Sequence, residues 1–184
     1  MASEREARRR AYLDKTAAET DGLAARGAIF GGNAFSEVLL VKGELAEAER
    51  NGGPAFSGAD GTALRASLDR LGYAPEDWEW ALTVDADGEP LDASLFRETV
   101  CALDPATLVC CDEAAANLAR EAYADELALL DRLEEAMLLP GEIAQILGMR
   151  VLNLGGFEAA LGDAHEKQVM WARLKKIAPL GEPF

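Results

Sequence analysis

The sequence predicts an α/β fold, with three layers of helix, sheet and helix around a mainly parallel four-stranded sheet. Three observations carry that prediction. Short apolar runs such as Val38-Leu39-Leu40-Val41 have no polar alternation, which marks strands buried on both faces. Segments with helical spacing of apolar residues separate these runs. Gly, Pro and Asp cluster at the junctions. At 184 residues, 49% of them hydrophobic, the chain can bury one core. It reads as a single domain over 1–184, in which 1–35 form an N-terminal helix and Gly-rich linker and 36–177 form the main body.

The elements follow in order. Residues 4–27 place Tyr12, Leu13, Ala17, Leu23 and Ala24 at roughly helical spacing. "RGAIFGGNAF" interrupts that pattern with three glycines. Residues 38–41 are the first strand. "ELAEAERNGG" is a short acidic turn or helix ending at Gly52 and Gly53. In "NGGPAFSGADG", Asp60 or Thr62 is placed to cap a helix. Leu64, Leu68 and Leu71 give that helix its apolar face, and Gly72 ends it. "WEWALTVDADG" is the second strand, with Trp78 and Trp80 on one core face and "DADGEP" as a turn. Residues 92–103 read as helix. "ATLVCC", entered from Pro105, is the third strand. Residues 112–139 read as a long helix capped by Asp112, with a break near 124–125. "GMRVLNLGG" is the fourth strand. "DAHEKQVMWARLKKI" closes the chain as a helix with Trp171, Leu174 and Ile177 facing the core.

Charge narrows the partners. The net charge is −15, and residues 16–165 carry nine basic and 28 acidic side chains. Such a body repels a phosphate backbone, so DNA is a disfavoured partner. Only the two ends, "REARRRAYLDK" and "KQVMWARLKK", offer a basic face. No run reaches the apolar length of a membrane span. The charged N-terminus lacks the apolar stretch of a secretory signal, so a cytoplasmic location is expected. Cys101, Cys110 and Cys111 are too few and too close for a disulfide framework or a four-thiolate cluster, and read as buried inert thiols.

In a parallel sheet, ligands sit beyond the carboxyl ends of the strands. Three loops leave those ends: "KGELAEAERNGGPAF", "DADGEP" and "NLGGFEAAL". They are expected to converge on one crevice. The order of strand, acidic turn, "GGPAFSGADG", helix and "LGY" resembles the uracil-DNA glycosylase superfamily. It is most similar to that superfamily's bacterial and archaeal iron–sulfur branch. "KGELAEAER" stands where the catalytic turn belongs, and Phe56, Gly58 and Gly61 stand on the Phe and two glycines of the next loop. Pro54 is displaced by one position. "LDRLGYAPEDWEWAL", "ALDPATLVCC" and "MRVLNLGG" with the closing helix extend a weaker similarity over about residues 36–177.

The resemblance implies a carboxylate that positions water, an aromatic that stacks on the base, an Asn that reads its edge and a His that stabilises the leaving anion. Glu44 falls on the carboxylate, though the Pro-Gly that should follow is Leu45-Ala46. Phe56 falls on the stacking aromatic. The Asn position falls near Leu82 or Thr83, and the His position on Gly156, Phe157 and Glu158. The cluster cysteines have no counterpart before residue 101, so no iron–sulfur cluster or other cofactor is expected, and no metal. Losing the base-reading amide removes uracil specificity, and losing the electrostatic partner costs about two to three orders of magnitude in rate.

Each candidate has a plain structural alternative. Glu44 is a catalytic carboxylate or a solvated turn residue. Lys42, directly after a buried strand, meets an anion or pairs with Glu44 or Asp85. Phe56 stacks on a ring or plugs the core. Gly43, Asp85 and Gly156 line the crevice or simply form turns, and Asp85 and Asp87 hold a cation with Glu44 or form the turn of "DADG", a run without the full calcium-loop spacing. His165 reads as a surface or capping residue. The expected function is a divergent glycosylase-like protein without uracil excision, binding a small planar or anionic ligand in the former active-site crevice. Two alternatives stay open: a DNA glycosylase of altered specificity, and an acidic protein-interaction module, with a homo-oligomer among its forms.

Overall fold

Residues 4–34 and 36–180 are described by the computed structural model, leaving aside the side chains of residues 5, 6, 8 and 9. Of the predicted N-terminal basic face, the side chains of Arg5, Arg8 and Arg9 lie outside the described residues, and Arg10 and Lys15 are exposed on the first helix. The chain opens with α1 (Glu4–Ala25), followed by β1 (Phe30–Gly32) and β2 (Val38–Lys42). Every residue of β2 is buried, as expected of an apolar run at the centre of a parallel sheet. Next come α2 (Glu47–Arg50), α3 (Ala59–Leu71) and β3 (Trp78–Leu82). Gly58, not Asp60 or Thr62, is the N-cap of α3, while Gly72 closes it in the left-handed conformation.

Beyond β3 lie α4 (Ala93–Leu103), β4 (Thr107–Cys110), α5 (Glu113–Ala122), α6 (Ala124–Leu127) and α7 (Leu133–Ala136). Asp92 caps α4 through the Ser94 N–H, and Asp112 caps α5 through the Ala115 N–H. The helical run expected over 112–139 does break near 124, between α5 and α6, and it breaks again before α7, leaving three short helices. Arg120 on α5 donates to the carbonyls of Met137 and Leu138, so the chain folds back along α5 instead of extending. The last elements are β5 (Ile143–Ile146), β6 (Met149–Asn153), α8 (Phe157–Ala160) and α9 (Ala164–Leu174), with a 3-10 turn at Lys175–Ile177.

Among the described residues the sheet has six strands in the order β1-β3-β2-β4-β6-β5, which corrects the expected four. The inner four run parallel, and β1 and β5 pair antiparallel at the two edges. The edges escaped the sequence reading for a physical reason. β1 is Phe-Gly-Gly, with almost no side chain to show a period, and Ile143-Ala144-Gln145-Ile146 is too short to establish one. Helices cover both faces. Leu23, Phe96, Val100 and Leu118 pack on Leu39, Val41 and Leu108 on one side. Leu64, Leu68, Met170 and Leu174 pack on Val38, Leu40 and Val109 on the other. From β2 the chain runs to β3 on one flank and then to β4 on the opposite flank. A switch point therefore lies between the carboxyl ends of β2 and β4, where open α/β sheets place their ligands.

Candidate functional site

Lys42 ends β2 at the switch point. Its side chain is 3% exposed, and its Nζ lies 2.6 Å from Glu49 Oε1 and 2.6 Å from Asp60 Oδ2. Lys42 thus pairs with Glu49 on α2 and Asp60 on α3, not with Glu44 or Asp85. The carboxylates have further work. Glu49 Oε1 accepts the Ala46 N–H and Oε2 accepts the Phe56 N–H. Asp60 Oδ1 accepts the Gly61 N–H. Each of these four oxygens therefore has a hydrogen-bond donor, the condition for burying charge. Burial alone lowers the Lys42 ammonium, but its hydrogen bonds to Asp60 and Glu49 outweigh that and the net shift is upward.

Phe56 lies beneath this knot. It is fully buried, and the Lys42 ammonium sits 4.5 Å from its ring centroid. The expected stacking platform therefore has its face covered by a side chain of its own protein, and the ring plugs the core. The loop geometry depends on close approach. Phe56 has a φ of 56°, its carbonyl accepts from Arg65, and a Cβ on Gly61 would meet that carbonyl oxygen at 1.7 Å. The Gly-rich loop is thus shaped around Phe56 and the lysine above it.

The first turn is also occupied. Asp112 accepts the N–H groups of Gly43 and Glu44 at 2.9 and 2.8 Å while it caps α5. Neither N–H is left to hold an anion. Glu44 itself is exposed and lines the crevice mouth, and Gly156 lines the opposite wall beside Glu158. Burial, with Asp60 nearby, raises the Glu158 carboxyl. The crevice bounded by Lys42, Glu44, Asp60, Asp112, Gly156 and Glu158 encloses about 40 Å³, room for about one water.

Only two of the three loops meet there. The Asp85 turn meets the Gly-rich loop in a neighbouring cleft of about 440 Å³, lined by Trp80, Leu82, Pro54, Ala55, Arg50 and Asp85. Asp85 Oδ1 accepts the N–H groups of Asp87 and Glu89, so its first role is to hold the turn. Trp80 is half-buried. It runs so close to β1 that a Cβ on Gly31 would meet its ring at 2.6 Å. Trp80 was expected only as a core residue, because alternation with Trp78 shows a shared face but not that a cleft borders it.

Elsewhere the expectations divide. Cys110 and Cys111 are buried, with burial pushing the Cys110 thiol up to about 12, but Cys101 is exposed. His165 is exposed in the first turn of α9. In the basic closing segment, Arg173 donates to the Leu154 carbonyl and Lys176 to that of Gly141. Among the described residues, no group of three His, Cys, Asp or Glu could hold a metal ion, and no helix is long and apolar enough to cross a membrane. No protein-family model matches the chain, and no curated protein matches it.

Proposed function

We propose that the chain is a divergent uracil-DNA glycosylase-like protein without uracil excision, which binds a small planar ligand in the cleft beside the former catalytic crevice. One observation carries this reading: the switch-point crevice holds about 40 Å³, whereas the cleft walled by Trp80, Pro54 and Arg50 holds about 440 Å³. Small-molecule sites occupy roughly 300–1,000 Å³ and combine apolar walls with a few polar groups. The Lys42–Glu49–Asp60 knot and Phe56 fill the place where a base would stack. The acidic body supports the loss of DNA as substrate.

The test has two arms. Release of free uracil from single-stranded uracil-containing DNA at low salt is expected to be nil. Release that vanishes in Glu44→Ala would overturn the reading. Titration with free nucleobases and nucleosides is expected to quench tryptophan fluorescence saturably, and Trp80→Phe to weaken that binding roughly tenfold through lost stacking area. Absence of saturable quenching across the panel would remove the ligand half of the reading.

A second reading is favoured by a separate observation. Leu129, Leu133 and Leu147 are exposed by 84%, 69% and 68% on the segment from α6 to the β5–β6 turn. A filled crevice with exposed apolar side chains is what a protein-interaction module would show. Light scattering distinguishes it: a monomer that captures no second copy at high concentration counts against self-association.

A further inference from the structure

Strand β3 carries a carboxyl on its apolar side. Trp78, Trp80 and Leu82 alternate with Glu79 and Ala81, and Ala81 belongs to the core layer under α1 and α4. Glu79 is 1% exposed, and among the described residues its Oε1 has no hydrogen-bond partner. A buried polar atom without a partner is costly, and native proteins seldom keep one without a reason. Glu79 also borders a cavity of about 420 Å³ between α1, the first sheet edge and α4. Leu13, Ala17, Phe30 and Leu103 give that cavity an apolar body, with Thr20 and Asp14 as polar lining. Among the described residues, no Lys, Arg or His lines it.

We propose that this cavity is a binding site for a small organic ammonium, an amine on an apolar body, with the Glu79 carboxylate receiving the ammonium N–H. The apolar walls suit a short hydrocarbon chain, and among the described residues the lining supplies acids and no cation. A charge-assisted hydrogen bond to a buried carboxylate discriminates between an amine and its isosteric alcohol. Burial first, with Asp104 adding to it, raises the free Glu79 carboxyl to about 8. Near neutral pH the free protein therefore holds a proton on Glu79. The incoming ammonium ionises the carboxyl, and that proton leaves to the buffer. Charge and protons balance: a neutral acid and a cation become an ion pair plus one free proton.

The site lies across β3 from the Trp80 cleft, so it stands or falls independently of the proposed function. The experiment is calorimetric titration of the full chain at pH 7 with n-hexylamine, hexanol and hexanoate, repeated in two buffers of different ionisation enthalpy. The amine is expected to bind at least about tenfold more tightly than the alcohol, with hexanoate weakest. The heats in the two buffers should differ by close to one released proton per amine bound. Glu79→Gln should abolish both the amine preference and the proton release. Ala17→Trp, which closes the cavity and keeps Glu79, should remove binding of all three probes. Equal affinity for amine and alcohol, binding without proton release, or amine preference retained in Glu79→Gln would each overturn the assignment.

Discussion

Lys42 and Glu79 are both buried ionisable groups on adjacent parallel strands, and they have opposite fates. Lys42 Nζ has two carboxylates at 2.6 Å, and those carboxylates also hold the backbone of α2, the Gly-rich loop and α3. Glu79 has an oxygen with no partner among the described residues, beside a cavity of about 420 Å³. The difference teaches how to read a buried charge. A charge whose partners are all internal closes a site, whereas one left without a partner marks a place where something else belongs. The switch-point crevice is of the first kind. It occupies the position where fold topology would put a ligand, yet its charged groups are spent on each other.

The largest expected effect comes from breaking the closed knot. Lys42→Met leaves Glu49 and Asp60 buried without their cation, and should lower unfolding stability by about 3–5 kcal/mol in denaturant titration. A loss below about 1 kcal/mol would show that the knot is solvated, and the contrast with Glu79 would disappear. Glu79→Gln should act in the other direction. The folded protein keeps the Glu79 proton up to about pH 8, whereas the unfolded chain releases it in the ordinary carboxylate range. Wild-type stability should therefore fall as pH rises from about 5 to about 8, as the unfolded state binds fewer protons than the folded one. The variant lacks that dependence. It should match wild type near pH 5 and exceed it by roughly 3–4 kcal/mol at pH 8.

Asp112→Ala should cost about 1–2 kcal/mol, because it removes a helix cap and leaves the Gly43 and Glu44 N–H groups without their acceptor. Uracil release should stay absent in that variant. His165 is exposed and lies outside both regions, and His165→Ala should change stability by less than about 0.5 kcal/mol.

The contrast was only half legible in the sequence. The inner strands announced themselves as apolar runs, since a strand buried on both faces leaves a local record in its own residues. Lys42 stood out because a cation directly after such a run is unusual. Its partners did not. Glu49 and Asp60 lie 7 and 18 residues away along the chain and reach Lys42 only because α2 and the Gly-rich loop curl back over the strand end. Phe56 was equally ambiguous, because an aromatic in a Gly-rich loop has the same sequence signature whether it faces a ligand or the core. Glu79 carried no signal. A Glu between two tryptophans reads as the solvent side of a half-buried strand, and only the packing of α1 and α4 over that face makes it buried. Such coverage is a property of the tertiary fold and has no local pattern.

The most direct test of the contrast is a carbon-13 NMR titration of the Glu79 side-chain carboxyl, with and without n-hexylamine. The account predicts a midpoint near about 8 in the free protein, moving toward the ordinary carboxylate range when the amine is present. A midpoint already in the ordinary range without amine would contradict it, since Glu79 would then have found a partner or water of its own.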